Sequence, residues 1–433
     1  MKKNFLLCLA FLGIMLLAGC KVSSSTPKIG ADDSLLNEHE TDMISGASAG
    51  ELHLLAEGEA LGDGCATGYY YLTQRPDASF NIKYIDYASY TEVYLCDRPE
   101  CEHKDESCTS WRPYAGSQGC AIPIGENLYI LFYGSQFAQD FERYGSDALL
   151  HIERAMLNGS GAQTIVSLPA AESLNGNIAT DGRFLYLTVA IVEKTEDEKT
   201  EMYWQILSID LQSGNVQRSE ALRQLDLHMI GAAGHYLIYT WYEAGGESFA
   251  DIVDHYGVWN VETQTLEELP YEIDPQVRCA GEYLCWIDRG DNCLHRVNAL
   301  TGEQSELPIN LDLSNYQDVR FGYHTLPHYG IVLLYDVAGK VHWGLLSLES
   351  GELSIITLEI EGSEGAPKQK LHLYAEFDEE YFLVAQAYMQ TIVNFPSGDS
   401  ILPLPAERYS FALLPIESCL MNQPDYFPIT SIE

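Results

Sequence analysis

A short motif recurs along most of the chain at intervals of 47 to 57 residues. In each copy a glycine or an acidic residue is followed closely by aromatic and apolar residues that start a strand. The copies begin at Gly68, Gly125, Gly182, Gly234 and Gly281, and two looser copies follow at Gly330 and Glu379. A repeat of this length indicates units that pack side by side, because one unit cannot cover its own apolar faces.

A second element follows most copies, and it consists of an alternating strand that runs into a turn. It is clear at 207–215, 296–304 and 345–353, with variants at 258–266 and 392–400. Alternation of apolar and polar residues predicts half-buried strands. The Ser-Gly and Thr-Gly pairs supply the positive φ that tight hairpin turns need. Each unit is therefore predicted to be a small antiparallel sheet.

Such sheets bury their faces when they are arranged radially, so the repeat predicts an all-β fold with a single β-propeller over residues 61–433. Seven copies predict seven four-stranded blades, and six or eight stay open because the first and last units are irregular. A pair of β-sandwiches is the alternative, which the even spacing disfavours. Residues 408–420 are expected to be the last strand of blade seven or a strand that completes blade one, and 424–433 a terminal clasp.

The N-terminus has the pattern of an export signal. Lys2 and Lys3 precede an apolar run of thirteen residues, which is too short to span a bilayer comfortably. The run ends in Leu-Ala-Gly-Cys at 17–20, which resembles the lipobox of bacterial lipoproteins. The resemblance implies a signal peptide at 1–19 and two acyl chains on Cys20, enough for stable membrane anchoring. The alternative is an ordinary signal peptide with a coincidental cysteine.

Residues 20–60 are then expected to hold the lipidated cysteine and a flexible tether, since serine, glycine and acidic residues dominate the first part of the segment. From Cys20 onward the chain has 22 basic and 63 acidic residues, a formal charge of −41. A field of this sign disfavours nucleic acid and anionic lipid as partners. The predicted location is the extracytoplasmic face of the cell membrane, where the lipid on Cys20 is the contact with the bilayer.

A cysteine-rich insertion near 96–120 contains Cys96, Cys101, His103 and Cys108. These four residues could close around one zinc ion, although their spacing departs from that of a zinc knuckle. An extracytoplasmic location favours disulfides instead, with Cys96–Cys101 or Cys101–Cys108 as the first expectation. Free buried thiols are the third possibility. His103, which has acidic neighbours, is expected to be a solvated loop residue.

Other cysteines that could form disulfides are Cys65, Cys120, Cys279, Cys285 and Cys293. Cys285 and Cys293 lie on the two sides of the turn at 288–291, so the sequence allows a cross-strand pair there, with buried thiols as the equal alternative. No cofactor is expected, and zinc at the insertion is only an alternative.

The lipobox, the tyrosine-rich repeat and the Cys-x4-Cys-x-His-x4-Cys element together resemble uncharacterised lipoproteins of Gram-positive bacteria that are grouped with TolB-like propellers. The resemblance extends over nearly all of the chain after the leader, and the cysteine element is its most specific part. It implies the propeller fold and the location, and it implies no activity.

No catalytic motif is recognisable. The chain has no Gly-x-Ser-x-Gly elbow, no His-Glu-x-x-His and no phosphate-binding glycine loop. The expected function is therefore a monomeric binding module for a glycan, a peptide or an envelope protein, without catalysis. Two alternatives stay open: a propeller enzyme, a hydrolase or lyase with its site at the central channel, and a scaffold for envelope assembly or transport.

Overall fold

The computed structural model describes residues 50–431 of the chain apart from short gaps, which are 56–61, 136, 171, 195–199, 245–251, 271–275, 364–365 and 398–399. The predicted signal peptide, Cys20 and most of the predicted tether lie outside the described residues. Within the described part of the chain, no helix combines the length and the apolar character needed to span a bilayer.

The fold is a β-propeller, with 60% of residues in strands and 5% in helices, so the predicted fold class is confirmed. The strands up to the end of the second repeat unit are β1 (His53–Leu55), β2 (Gly62–Cys65), β3 (Gly68–Gln74), β4 (Phe80–Asp86), β5 (Thr91–Tyr94), β6 (Trp111–Arg112), β7 (Gly119–Ile124), β8 (Asn127–Phe132), β9 (His151–Met156) and β10 (Gln163–Ser167).

The next three units are four-stranded, and their strands are β11 (Glu172–Thr180), β12 (Phe184–Lys194), β13 (Thr200–Asp210), β14 (Val216–Arg218), β15 (Leu225–Ala233), β16 (Tyr236–Ala244), β17 (Ile252–Asn260), β18 (Thr265–Glu268), β19 (Arg278–Ala280), β20 (Tyr283–Asp288), β21 (Cys293–Asn298) and β22 (Gln304–Pro308).

The last two units and the C-terminus contain β23 (Tyr316–Thr325), β24 (Tyr329–Asp336), β25 (Val341–Ser347), β26 (Leu353–Ile356), β27 (Glu359–Gly362), β28 (Gln369–Lys370), β29 (Leu373–Phe377), β30 (Tyr381–Ser397), β31 (Ser400–Pro415), β32 (Phe427–Pro428) and β33 (Thr430–Ser431). The helical elements are α1 (Ala138–Tyr144), α2 (Ile416–Leu420) and the 3-10 turns Gly145–Ala148 and Leu313–Asn315.

Every copy of the repeat marks the turn between the first and second strands of a unit, or the start of the second strand. This turn needs a left-handed residue, which glycine supplies without steric cost. Gly125, Gly234 and Gly281 accordingly have φ between 55° and 57°. In the last unit, where glycine is missing, Asp378 and Glu379 both have φ of 53°. In these copies the motif is therefore a requirement of the backbone at one turn, whereas Gly68 and Gly330 lie within β3 and β24 and do not have positive φ.

The prediction of seven separate blades is wrong. Among the described residues, five sheets have the size of a single blade, with four to six strands, and a further sheet has ten strands. The ten-stranded sheet joins the first two repeat units through a parallel contact of β2 with β7, where Gly62 lies opposite Ala121. Gly62 has no room for a side chain, because a Cβ there would lie 1.9 Å from the carbonyl oxygen of Tyr70 on the neighbouring strand β3.

The units are arranged in a ring with their first strands inside. β11, β15, β19 and β23 lie next to one another in that order, and β2 lies between β7 and β29. Apolar clusters fill the space between neighbouring units, and one of them packs Tyr69 and Ile85 of the first unit against Leu383 and Leu413 of the last. Each fully buried aliphatic side chain contributes about 1.5–3 kcal/mol to such a core.

The C-terminus closes the ring, which confirms the predicted clasp. β32 pairs with β31, and β33 pairs in parallel with β5 of the first unit. Beside this pair lies a buried ion pair, with Lys83 Nζ 2.5 Å from Glu92 Oε2 and the two side chains 4% and 6% exposed. The Ser431 hydroxyl donates to the same carboxylate oxygen of Glu92 at 2.5 Å.

One assignment near the C-terminus needs correction. Residues 408–420 were expected to be the last strand of blade seven or a strand that completes blade one, but they form the end of β31, the third strand of the last unit, and α2. The cause is the unusual length of β30 and β31, which pair from Tyr381 and Pro415 to Ser397 and Ser400. The alternating strand expected at 392–400 is present, since β30 ends at Ser397.

The antiparallel meander gives the propeller two different faces. On the short-turn face lie the turns between first and second strands and those between third and fourth strands. On the long-connection face lie the turns between second and third strands and the segments that join one unit to the next. This second face carries α1, the β30–β31 hairpin, the segment with β27 and β28, and the cysteine-rich insertion, residues 95–118.

The N-terminal strand β1 lies on the inner side of the ring. It pairs antiparallel with β11, the inner strand of the third unit, so that His53 lies opposite Thr180. The Leu52 backbone N–H donates to the carbonyl of Gly234 at 3.2 Å, in a turn of the short-turn face. The chain therefore enters the ring from the short-turn face.

Candidate active site and cysteine cluster

The inner strands of the third and fourth units are bulged. The pairing of β15 with β16 shifts between Leu225 and His228, and again between Met229 and Gly231. β11 has a shift between Leu174 and Ile178. Bulges are frequent beside active sites because they redirect side chains out of the regular alternation. The inner strands β23 and β29 are bulged as well, so the bulges alone do not single out one part of the channel wall.

His228 lies at the bulge of β15, near the long-connection end of that strand. A Cβ at Gly176 of the neighbouring strand β11 would lie 3.4 Å from the His228 ring and 3.2 Å from the Met229 backbone nitrogen. Gly176 has φ of 86°, so both its conformation and the close approach require glycine. The Asn175 amide donates to the Leu227 carbonyl at 2.7 Å and fixes the two strands together.

Burial lowers the pKa of His228 below its usual value, and the neighbouring charge of Asp226 only partly opposes this effect. The side chain nevertheless keeps partial access to solvent. The imidazole is therefore neutral around pH 7 and available to accept a proton.

Tyr242 lies on β16 opposite both Leu225 and Asp254. Burial raises the pKa of Tyr242, the charges of Asp226 and Asp254 raise it further, and Arg278 opposes them. The phenol is therefore protonated and able to donate. Arg278 begins the inner strand of the fifth unit, and its Nε donates to the Gly322 carbonyl at 3.1 Å.

His228, Tyr242, Asp226, Asp254 and Arg278 define the channel-mouth site. It has a neutral imidazole on β15 and a protonated phenol on the paired strand β16, and the charges of Asp226, Asp254 and Arg278 act on the phenol. This set of groups is suited to general acid–base catalysis.

Sequence reasoning missed the channel-mouth site. His228 stands in an ordinary alternating strand sequence, and bulges have no local signature that would distinguish it from other strand histidines. The only signal is the polar pair Asp226 and His228 at the start of an inner strand, which could have been noticed once the propeller was assigned.

The second cluster lies in the insertion, as the sequence predicts. Cys96, Cys101, His103 and Cys108 each bring one possible ligand atom to a common point, and these atoms all lie within 4.8 Å of one another. The Cys108 thiol is buried and the other three residues are half-buried. His103 Nδ1 lies 3.2 Å from Cys108 Sγ, so His103 is part of the cluster and not a solvated loop residue.

Several neighbours hold the cluster in place. The His103 ring stacks on Tyr94 with 4.3 Å between ring centroids. The His103 carbonyl accepts hydrogen bonds from Arg75 Nη1 and from the amide of buried Asn81, both at 2.9 Å. Arg98 Nη2 lies 3.2 Å from Cys101 Sγ and brings a positive charge to the sulfur.

The disulfide expectation is not met by the structure. None of the described cysteines forms a disulfide, and this holds for Cys65, Cys96, Cys101, Cys108, Cys120, Cys279, Cys285 and Cys293. Cys285 and Cys293 are not a cross-strand pair either, because Cys285 lies opposite Arg296 and Cys293 lies opposite Asp288. Burial raises the pKa of Cys120 and of Cys285 to about 12, so both are unreactive core residues.

No protein-family model matches the chain, and no curated protein matches it in sequence. Solved structures do resemble it. A puromycin-hydrolyzing peptidase of Mycobacterium tuberculosis has 12% identity and a TM-score of 0.46, with 82% of this chain and 51% of that chain covered. An acylaminoacyl peptidase of Pyrococcus horikoshii has 12% identity and a TM-score of 0.44, with 80% and 49% covered.

An oligogalacturonate lyase of Vibrio parahaemolyticus has 8% identity and a TM-score of 0.44, with 83% of this chain and 91% of that chain covered. This chain spans about half the length of the two peptidases. Identities of this size concern the fold alone.

The expectation of a binding module without catalysis needs correction, because several of the solved structures that resemble the chain are peptidases and one is a lyase. The kind of reaction has to be inferred from the residues of this chain.

Proposed function

We propose that the protein is an enzyme, a hydrolase that works by general acid–base catalysis at the channel-mouth site. His228 accepts a proton from the attacking water, and Tyr242 donates a proton to the leaving group. The observation that carries the proposal is the neutral imidazole of His228 on the bulged strand β15. Its register partner, Thr240 on β16, lies two residues from Tyr242, whose phenol stays protonated.

The charges near the site favour a hydrolase over a lyase, meaning an enzyme that eliminates a leaving group beside a carboxylate of its substrate. Asp226 and Asp254 both act on the Tyr242 hydroxyl, and the chain as a whole has a formal charge of −39. This field repels polyanions, which are the substrates of such eliminations. The substrate class that fits is a peptide or glycan that is uncharged or carries positive charge near the scissile bond.

The proposed location is the outer face of the cell membrane, with the lipid on Cys20 as anchor. Leu52 and β1 enter the ring from the short-turn face, which supports an arrangement in which the anchor lies on that side. The channel-mouth site would then face away from the membrane, toward polymeric substrates outside the cell. Membrane retention of a Cys20→Ser variant would contradict the anchor without bearing on the hydrolase.

The proposal is tested with the purified full chain and a panel of chromogenic peptides and glycosides, some neutral and some cationic. Hydrolysis of at least one substrate is expected, and Tyr242→Phe should lower kcat/KM about 10²–10⁴-fold, the usual contribution of a positioned general acid. Tyr236→Phe, at the short-turn end of the same strand β16, is the matched control and should retain the wild-type kcat/KM.

An unsaturated product from an acidic glycan would replace the hydrolase with a lyase. Absence of turnover across the panel, or equal activity of Tyr242→Phe and the wild type, would contradict the proposed mechanism.

A further inference from the structure

We propose that Cys96, Cys101, His103 and Cys108 bind one zinc ion, as a structural site that fastens the cysteine-rich insertion to the long-connection face. This inference is independent of the proposed hydrolase activity.

The geometry fits a tetrahedral ion. With zinc–sulfur distances of about 2.3 Å and zinc–nitrogen distances of about 2.0–2.1 Å, neighbouring ligand atoms of a tetrahedron are separated by roughly 3.5–3.8 Å. The four ligand atoms already lie within 4.8 Å of one another, and His103 Nδ1 and Cys108 Sγ are 3.2 Å apart. Movements of about 1 Å or less would complete the coordination shell.

The number of groups also favours a metal over a disulfide. One disulfide would use two of the three thiols and leave a thiol and the imidazole without a role. A zinc ion uses all three sulfurs and the imidazole, and three thiolates with one histidine are a known donor set for structural zinc. All four positions belong to the chain, so the site is closed to substrate.

The surroundings complement the charge of such a centre. Three thiolates and one divalent zinc ion carry a net charge of −1, and the guanidinium of Arg98 lies 3.2 Å from Cys101 Sγ. Tyr94 fixes the plane of the His103 ring by stacking. Neighbours of this kind orient ligands and strengthen metal binding.

The cluster is connected to the rest of the propeller at several points. The His103 carbonyl is held by Arg75 and Asn81, which belong to the first unit and its turn. A few residues later, β6 pairs with β4, and Arg112 Nε lies 2.6 Å from the Glu153 carboxylate on β9 of the second unit. A metal at this point fixes an insertion that bridges two units.

The test begins with metal analysis of the purified full chain, for which about one zinc per chain is expected. Cys101→Ser and Cys108→Ser should reduce the zinc content about tenfold or more, because each removes a ligand. Cys293→Ser is the matched control, since Cys293 is a partly exposed thiol of the fifth unit, and it should retain the zinc.

A measurement on the wild type avoids dependence on variants that fail to fold. Cys96, Cys101 and Cys108 should resist alkylation in the native protein and become reactive once a chelator is added. Cobalt(II) in place of zinc should give the visible absorption of tetrahedral thiolate coordination. Arg98→Ala should weaken zinc affinity about 10–100-fold, as loss of a supporting neighbour does.

Three results would overturn the proposal. The first is a disulfide among these cysteines in peptide mapping without reductant, together with no zinc. The second is free alkylation of all three thiols before any chelator is added. The third is a stoichiometric zinc that Cys101→Ser and Cys108→Ser both retain, because the ion would then lie elsewhere.

Discussion

The short-turn face and the long-connection face are built from the same strands but differ in almost every other respect. On the short-turn face, the turns between first and second strands are only a few residues long, and left-handed glycines make most of them. On the long-connection face, the same sheets carry a helix, a long hairpin and the cysteine-rich insertion. The channel-mouth site and the cysteine cluster both lie on the long-connection side.

The two faces therefore have different roles: the short turns contribute mainly to the stability of the fold, and the long connections carry the groups that could act on a substrate. Tight turns and the C-terminal clasp determine whether the ring forms, and they leave little freedom for sequence change. Longer connections on a rigid scaffold can vary in sequence without loss of the fold. Binding and catalytic residues are therefore found more often on such connections. Substitutions that affect closure or the short turns should therefore change the unfolding free energy, and substitutions at the channel mouth should change activity.

The largest effect on stability is expected at the clasp. Glu92→Gln should lower the free energy of unfolding by about 3–5 kcal/mol, because it leaves the buried ammonium of Lys83 without a charged partner. Urea unfolding followed by tryptophan fluorescence would measure the change. Glu201→Gln, in an exposed ion pair with Arg223 on the long-connection face, should cost no more than about 1 kcal/mol.

The clasp also predicts a pH dependence of stability. Burial alone would raise the pKa of Glu92, but the charge and hydrogen bond of Lys83 lower it overall. The ion pair therefore stabilises the fold above the ordinary pKa of a glutamate, and the contribution is lost as the pH falls through the lowered value. Glu92→Gln should reduce this acid dependence. An unchanged dependence in the variant would contradict the role of the pair.

A smaller effect is expected at a single short turn. Gly281 has φ of 55°, and a Cβ added there would meet no atom within 4 Å. Gly281→Ala should therefore cost only the left-handed strain of an L-residue, about 1–2 kcal/mol. Gly64→Ala is the control, since Gly64 has ordinary φ and contacts of 3.6 Å or more, and it should change stability by no more than about 0.5 kcal/mol. Equal effects of the two would show that the repeat glycine is not required by the turn.

The propeller fold could be predicted because the sequence pattern that specifies each unit is short and recurs along the chain. The glycine of most copies and the alternation that follows it arise from one turn and two strands, so they are visible in short windows of sequence. The fusion of the first two units could not be predicted, because the contact of Gly62 with Ala121 joins segments far apart in the chain. The place of residues 408–415 at the end of β31 could not be predicted either, because it depends on the length of one long hairpin.

The cysteine cluster and the channel-mouth site also differ in whether a short stretch of sequence contains them. The cysteine cluster was visible because its four residues lie within a stretch of thirteen. The channel-mouth site takes its residues from β15, β16, β17 and β19, and Asp254 and Arg278 act on Tyr242 only because these strands are paired and packed. Which of the many acidic residues lie near a histidine is a property of the ring and not of any local pattern.

The most direct test of the division between the two faces is the pH profile of kcat/KM for two histidine variants. His228→Ala should lower kcat/KM about 10²–10⁴-fold and abolish an acid limb that the wild type shows below pH 6.5, since burial lowers the pKa of His228. His235→Ala, at an exposed turn of the short-turn face, should match the wild type throughout. Equal activity of His228→Ala and the wild type, with the acid limb retained, would contradict the account.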